Sequence, residues 1–195
     1  MKLQLFTAPV IEPVDLVQAK LHLRVDDSFD DELIDPMIIT AREHVEDITR
    51  RALLTQTWDY SLDGWPCGNA TTLPLGNLQS VTSVKWKDTA GTEATLTLNT
   101  DYLVETNGDQ CGRLVLPYAK PWPTAALFPS NPITIRFLCG WTTPALVPSK
   151  IRSAILLVVA KLYESRGEDT VGQTVVEDKT VARLLESARL RGELP

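Results

Sequence analysis

The chain has 195 residues and a formal net charge of -6, with 44% hydrophobic and 23% charged residues. That composition excludes general disorder, and the acidic balance argues against a grip on nucleic acid, which needs clustered Lys and Arg. An acidic surface can still line a passage through which DNA slides, because repulsion prevents sticking.

Residues 1–13 read as an extended lead carrying Pro9 and Pro13. Asp15 is suited to cap a short helix over Leu16 to Arg24, since its carboxylate can accept an orphan N–H of the first turn. A second helix opens in the acidic run Asp26 to Asp35, where Ser28 and Asp31 have capping-box spacing. Leu33, Ile34, Met37, Ile38, Ala41, Val45, Ile48 and Ala52 then recur with helical period. Pro36 lies early in this stretch and predicts a kink, or a restart with Asp35 as cap and Pro36 in the first position.

From Thr55 the period changes. Thr57 to Leu62 and Val81 to Lys87 alternate as half-buried strands do. Asp88-Thr89-Ala90-Gly91 predicts a hairpin turn into Glu93 to Leu98. Tyr102-Leu103-Val104, Arg113 to Leu116 and Ile133 to Leu138 supply further strands. The five tryptophans all fall in or beside this region, where aromatic side chains fill the thin core of a small sheet or, as an alternative, bind a peptide or glycan.

Val147-Pro148-Ser149 opens a third helix with a wide apolar face, Ile151, Ile155, Val158, Val159 and Leu162, and Gly167 is placed to end it. Residues 168–179 are polar. Val181 to Arg191 predicts a short amphipathic helix, with Val181, Leu184, Leu185 and Ala188 in phase. A helix of about a dozen residues is marginal in water, so this face is expected to dock on a partner. The fold class is therefore α+β: a helical bundle with an inserted antiparallel sheet unit. The divisions are 1–54 helical, 55–141 β-rich, 142–167 the core helix that completes the helical part, and 168–195 a flexible tail.

The chemistry of catalysis is not legible. There is no phosphate loop, no His-Glu-x-x-His and no Gly-x-Ser-x-Gly, and His22 and His44 stand alone on separate helices. No catalytic residue, metal ligand or cofactor is assigned. Asp26, Asp27, Asp30 and Asp31 sit where a helix N-terminus attracts acids, and they also suit a partner-facing or channel-facing surface. A calcium loop would need alternating ligands around a central Gly, which this run lacks. Cys67, Cys111 and Cys139 are odd in number and lack metal spacing, as free thiols in a reducing compartment do. The most apolar run, Ala154 to Ala160, falls far short of the ~20 residues that span a bilayer, so no membrane is expected as a partner. The product is read as cytosolic.

Several segments resemble one known family as an ordered set. They are Glu12-Pro13-Val14-Asp15-Leu16 with Leu21-His22-Leu23-Arg24-Val25, and Asp30-Asp31-Glu32-Leu33-Ile34 with Ala41-Arg42-Glu43-His44-Val45-Glu46. Leu54-Thr55-Gln56-Thr57-Trp58 and Leu78-Gln79-Ser80-Val81 follow, then Gly140-Trp141 and Val147-Pro148-Ser149-Lys150-Ile151. Over residues 8–165 the series resembles the head–tail connector (adaptor, or head-completion) proteins of tailed bacteriophages, whose longer members carry a β insertion. The resemblance implies a virion protein of the neck, between head and tail. It implies a homo-oligomeric ring of roughly twelve subunits. That ring would dock under the portal protein and present a surface to a tail-side neck or tail-terminator protein. DNA would pass through it without sequence-specific binding. Another neck or tail-completion role is the nearest alternative. Pro36 and residues 168–195 depart from the family's pattern.

Overall fold

The computed structural model describes residues 1–165 and 179–190. Its helices begin where the side chains can satisfy helix ends. Helix α1 (Leu16–Leu23) has Asp15 at its N-cap, whose carboxylate accepts the backbone N–H of Gln18 at 2.7 Å, and it closes on Arg24 in the left-handed conformation. Helix α2 (Asp31–Thr49) starts on Asp30 rather than on the Ser28–Asp31 box: Asp30 is the N-cap, and no side chain caps the turn. Pro36 lies inside α2, which runs through it without the expected restart. The residue is early enough that a single carbonyl of the first turn loses its helical donor, which limits the disruption.

Helix α3 (Ser149–Glu164) follows a short 3₁₀ turn, Pro144–Leu146. It ends at Ser165, before Gly167, which lies outside the described residues. Helix α4 (Lys179–Glu186) is shorter than the Val181–Arg191 expectation. The polar stretch 168–178 and the terminal residues 191–195 also lie outside the described residues.

Among the described residues, eight strands form two antiparallel sheets. β1 (Lys2–Thr7), β2 (Gln56–Leu62), β8 (Ile133–Cys139), β4 (Leu78–Lys87) and β5 (Glu93–Leu96) make the larger sheet, in the order β1-β2-β8-β4-β5. β3 (Ala70–Gly76), β7 (Cys111–Val115) and β6 (Leu103–Glu105) make the smaller, in the order β3-β7-β6. The extended lead expected at residues 1–13 is thus corrected in part, because Lys2–Thr7 pairs with β2.

The chain divides into two compact units. The β unit comprises Met1–Pro9, Thr55–Gly140 and Leu190; the helical unit comprises Val10–Leu54 with 141–165 and 179–189. In the β unit, Tyr60 and Leu62 of β2, Ile133, Ile135 and Phe137 of β8, and Val81 and Val84 of β4 are buried, while their alternating neighbours are half-buried or exposed. Gly112 in β7 lies against Leu78 of β4, where a β-carbon would collide. The other face of the larger sheet is polar: Arg136 of β8 forms two 2.7 Å hydrogen bonds to Asp59 of β2. The same guanidinium lies 3.4 Å from the centre of the Phe6 ring. Phe6 falls at a bulge in β1, two residues from Gln4, which is the register partner of Asp59. Trp65 and Trp122 stack at 5.0 Å, and Trp122 donates to the Gly68 carbonyl, which pins the proline-rich loop.

In the helical unit, Ile34, Ile38, Ala41 and Val45 of α2 meet Ile151, Ala154, Ile155 and Val159 of α3, all nearly inaccessible to solvent. Val14, Ala19, Leu53 and Leu54 complete this core.

Candidate assembly surface

Positions around the helical core are fixed by one buried cation. Arg42 on α2 donates to Glu12 at 2.8 Å and to Glu46 at 2.7 Å, and Glu46 also accepts the backbone N–H of Leu53 at 2.7 Å. The network ties the segment before α1 and the turn after α2 to one helical face. Burial opposes the guanidinium's charge, yet Glu46 and Glu12 hold Arg42 above the ordinary arginine value. Burial pushes the Glu12 carboxyl up, against the pull of Arg42.

The acidic run at the start of α2 is not uniform. Asp26 and Asp27 are exposed, and Asp27 accepts the backbone N–H of Phe29 at 3.1 Å. Asp31 pairs with Lys20 of α1 at 2.6 Å, and Asp30 accepts a short hydrogen bond from Tyr163 of α3. Two of the four carboxylates therefore lock helices together, and two face solvent. Among the described residues, no group of three His, Cys, Asp or Glu side chains could hold a metal ion. Cys67 is exposed, Cys111 half-buried and Cys139 buried, and no disulfide joins them.

The face of α4 is occupied within the chain. Val181, Leu185 and Ala188 are buried in the helical unit's own core, with Leu184 packed partly against it. Arg51 donates to the Ala188 carbonyl at 2.7 Å and Lys150 to Ser187 at 3.0 Å, which fixes the end of this segment. The sequence offered this face to a partner; here α3 and the turn after α2 cover it.

What the helical unit leaves open lies elsewhere. On α1, Ala19 is buried and Leu16 and Leu23 pack against the core, but Val17 and Leu21 point away, 74% and 80% exposed. Val10 and Phe29 are exposed almost completely, at 95% and 93%. Val17 and Leu21, one turn apart, form an exposed apolar stripe. The stripe has a signal in the sequence: Val17 and Leu21, four residues apart, lie opposite the inward-facing residues of α1. A groove of about 480 Å³ lies beside the start of α1, floored by Val14 and Ile38, walled by Ile11 and Ile39, and rimmed by Asp15 and Asp35. In the β unit, all six residues of β1 are exposed, and β1 forms one edge of its sheet.

The sequence pattern of the family described as "Phage gp6-like head-tail connector protein" matches residues 13–106. This chain carries the head–tail connector pattern. The match spans the segment before α1, both N-terminal helices and the five strands β2 to β6. It stops short of α3, so the resemblance read at Gly140-Trp141 and Val147 to Ile151 rests on fold. That support comes from solved structures similar along the whole length. A chain of the neck of an empty gene transfer agent particle, computed with C6 symmetry, has a TM-score of 0.77 at 23% identity, covering 100% of this chain and 98% of that one. A chain of the native particle's neck, computed with C12 symmetry, gives 0.77 at 22% identity with the same coverage. A chain of the native gene transfer agent virion gives 0.76 at 22% identity, again covering 100% and 98%. No curated protein matches the sequence. The connector pattern covers the first two helices and part of the β insertion, and the likeness of fold extends over the rest of the insertion and the returning helix.

Proposed function

We propose that this chain is a structural, non-enzymatic subunit of the neck of a tailed-phage-like particle. The observation that carries this reading is the connector pattern over residues 13–106 on a fold shared end to end with neck chains of gene transfer agent particles. Those particles' C6 and C12 symmetries support a homo-oligomeric ring of about twelve subunits here. In the finer reading, the ring docks under the portal, extends the DNA channel and offers its far side to a tail-side neck or tail-terminator protein. The net charge of -6 supports the channel role, since a ring of about twelve would carry about -70 and repel the passing duplex.

Native mass spectrometry of the full chain, alone and mixed with portal protein, tests the ring. A closed oligomer seated on portal is the expected result, and a monomer under both conditions overturns it. Among the described residues Asp26 and Asp27 are exposed and make no ion pair, so of Asp26, Asp27, Asp30 and Asp31 they are the two proposed for the channel wall. Replacing both by Asn should leave the chain folded and alter the rate of DNA ejection. Unchanged ejection would remove them from the channel.

A further inference from the structure

We infer that the ring contact is made in the helical unit, with the Val17–Leu21 stripe of α1 seated in the groove between Ile11 and Ile39 of the next copy. The inference rests on the ring reading and names the surfaces that reading leaves open. A rotational ring needs two different patches on one chain that fit each other, because each subunit meets its neighbours head to tail. The helical unit presents such a pair. One patch is convex: Val17 and Leu21 are one turn apart on the outer side of α1, 74% and 80% exposed. The other is concave, the groove of about 480 Å³ floored by Val14 and Ile38.

Neither patch covers the other within one chain. Val17 and Leu21 lie on the opposite side of α1 from Ala19, which faces the core, and they do not line the groove. Their charges are complementary. The helix bearing the stripe ends at Arg24, an exposed cation, while the groove rim carries the carboxylates of Asp15 and Asp35, also exposed. Two aliphatic side chains entering an apolar groove remove bare surface from both partners, and the flanking charges favour this orientation over stripe against stripe.

Two measurements on the full chain test the contact. The first is Leu21→Asp, which sets a carboxylate against the acidic rim. The position is exposed, so the melting temperature should stay within about 2 °C of wild type. Self-association by sedimentation should weaken about tenfold or more. The second uses Cys67→Ser chains carrying either Leu21→Cys or Ile39→Cys. Mixed and oxidised, they should form the mixed disulfide in preference to either symmetric one, and one chain carrying both cysteines should give a ladder of covalent oligomers. A ring that persists in Leu21→Asp overturns the contact and leaves the ring reading standing. So does a Leu21→Cys chain that links only to itself, or only to another protein of the particle. A wild-type chain that remains monomeric at millimolar concentration and with portal, and yields no mixed disulfide, overturns both.

Discussion

The two units bury their apolar residues to different degrees of completeness. In the helical unit one continuous core joins α2, α3 and α4, yet Val17, Leu21 and Phe29 stand in solvent a few residues from it. In the β unit the buried side chains come from alternating strand positions, and the other face is polar and cross-linked by Arg136 and Asp59. The sheet is thus finished on its polar face in a way that α1 is not. A helix needs one apolar stripe to fold; a second, opposite stripe serves assembly.

That contrast can be broken most directly in the two cores. Phe137→Ala, in the centre of β8, should cost about 3–5 kcal/mol, measured by denaturant unfolding followed by tryptophan fluorescence. Four of the five tryptophans lie in the β unit, so that signal reports mainly on it. Ile155→Ala, in α3, should cost about 2–5 kcal/mol, read by far-ultraviolet circular dichroism, which the helices dominate. A loss below about 0.5 kcal/mol would make either site a surface position.

Ion pairs sharpen the comparison at the next level. Arg42→Ala strands Glu12 and Glu46 beside an apolar core, and should cost about 3 kcal/mol. In the β unit, Lys85→Ala removes an exposed partner of Glu93 and should have a much smaller effect in the same denaturation experiment. Equal effects would mean that burial does not separate the two pairs.

The smallest expected effect is one of sign with pH. In the β unit, the hydrogen bond from Lys85 holds Glu93 below the usual carboxylate range, and the Thr97 backbone N–H followed by Lys120 does the same for Asp101. Both groups contribute stability that is present above their unfolded pKa values and lost as pH falls through the lower folded ones, below about pH 4. Glu12 in the helical unit runs the other way: its raised folded value favours the fold below the unfolded pKa, and that contribution fades as pH rises through the folded one. An acid titration should therefore weaken the fluorescence transition, and Glu12→Gln should flatten the opposing contribution in the dichroism.

Much of this was legible in the sequence because it is local. Asp15 caps the helix it was expected to cap, and the alternation at Thr57 to Leu62 and Val81 to Lys87 became β2 and β4. β1 was not legible, since Leu3 and Leu5 say little until β2, some fifty residues on, supplies their ladder. β3 was hidden by Pro74 and Gly76. It tolerates them as the edge of a three-stranded sheet, with the ladder interrupted between Thr72 and Gly76 and Leu75 in the left-handed region. The apolar phase of α4 was visible, but a helical pattern does not say whose core will receive it. The exposed face of α1 was missed for a related reason: a short helix with apolar residues on both sides has no clear inside until its neighbours are known.

The pairing of α2 with α3 also sets a schedule for synthesis. About 100 residues separate the end of α2 from the start of α3, and the entire β insertion lies between them. At typical elongation speeds, α2 leaves the ribosome about 5–20 s before the helix that covers Ile34, Ile38 and Val45. β2 likewise waits for β8, its neighbour on the far side of the same insertion. Neither unit can close before most of the chain has been made, and contacts this distant in sequence slow the search for the native state. The nascent chain must therefore be kept from sticking to other chains during that interval.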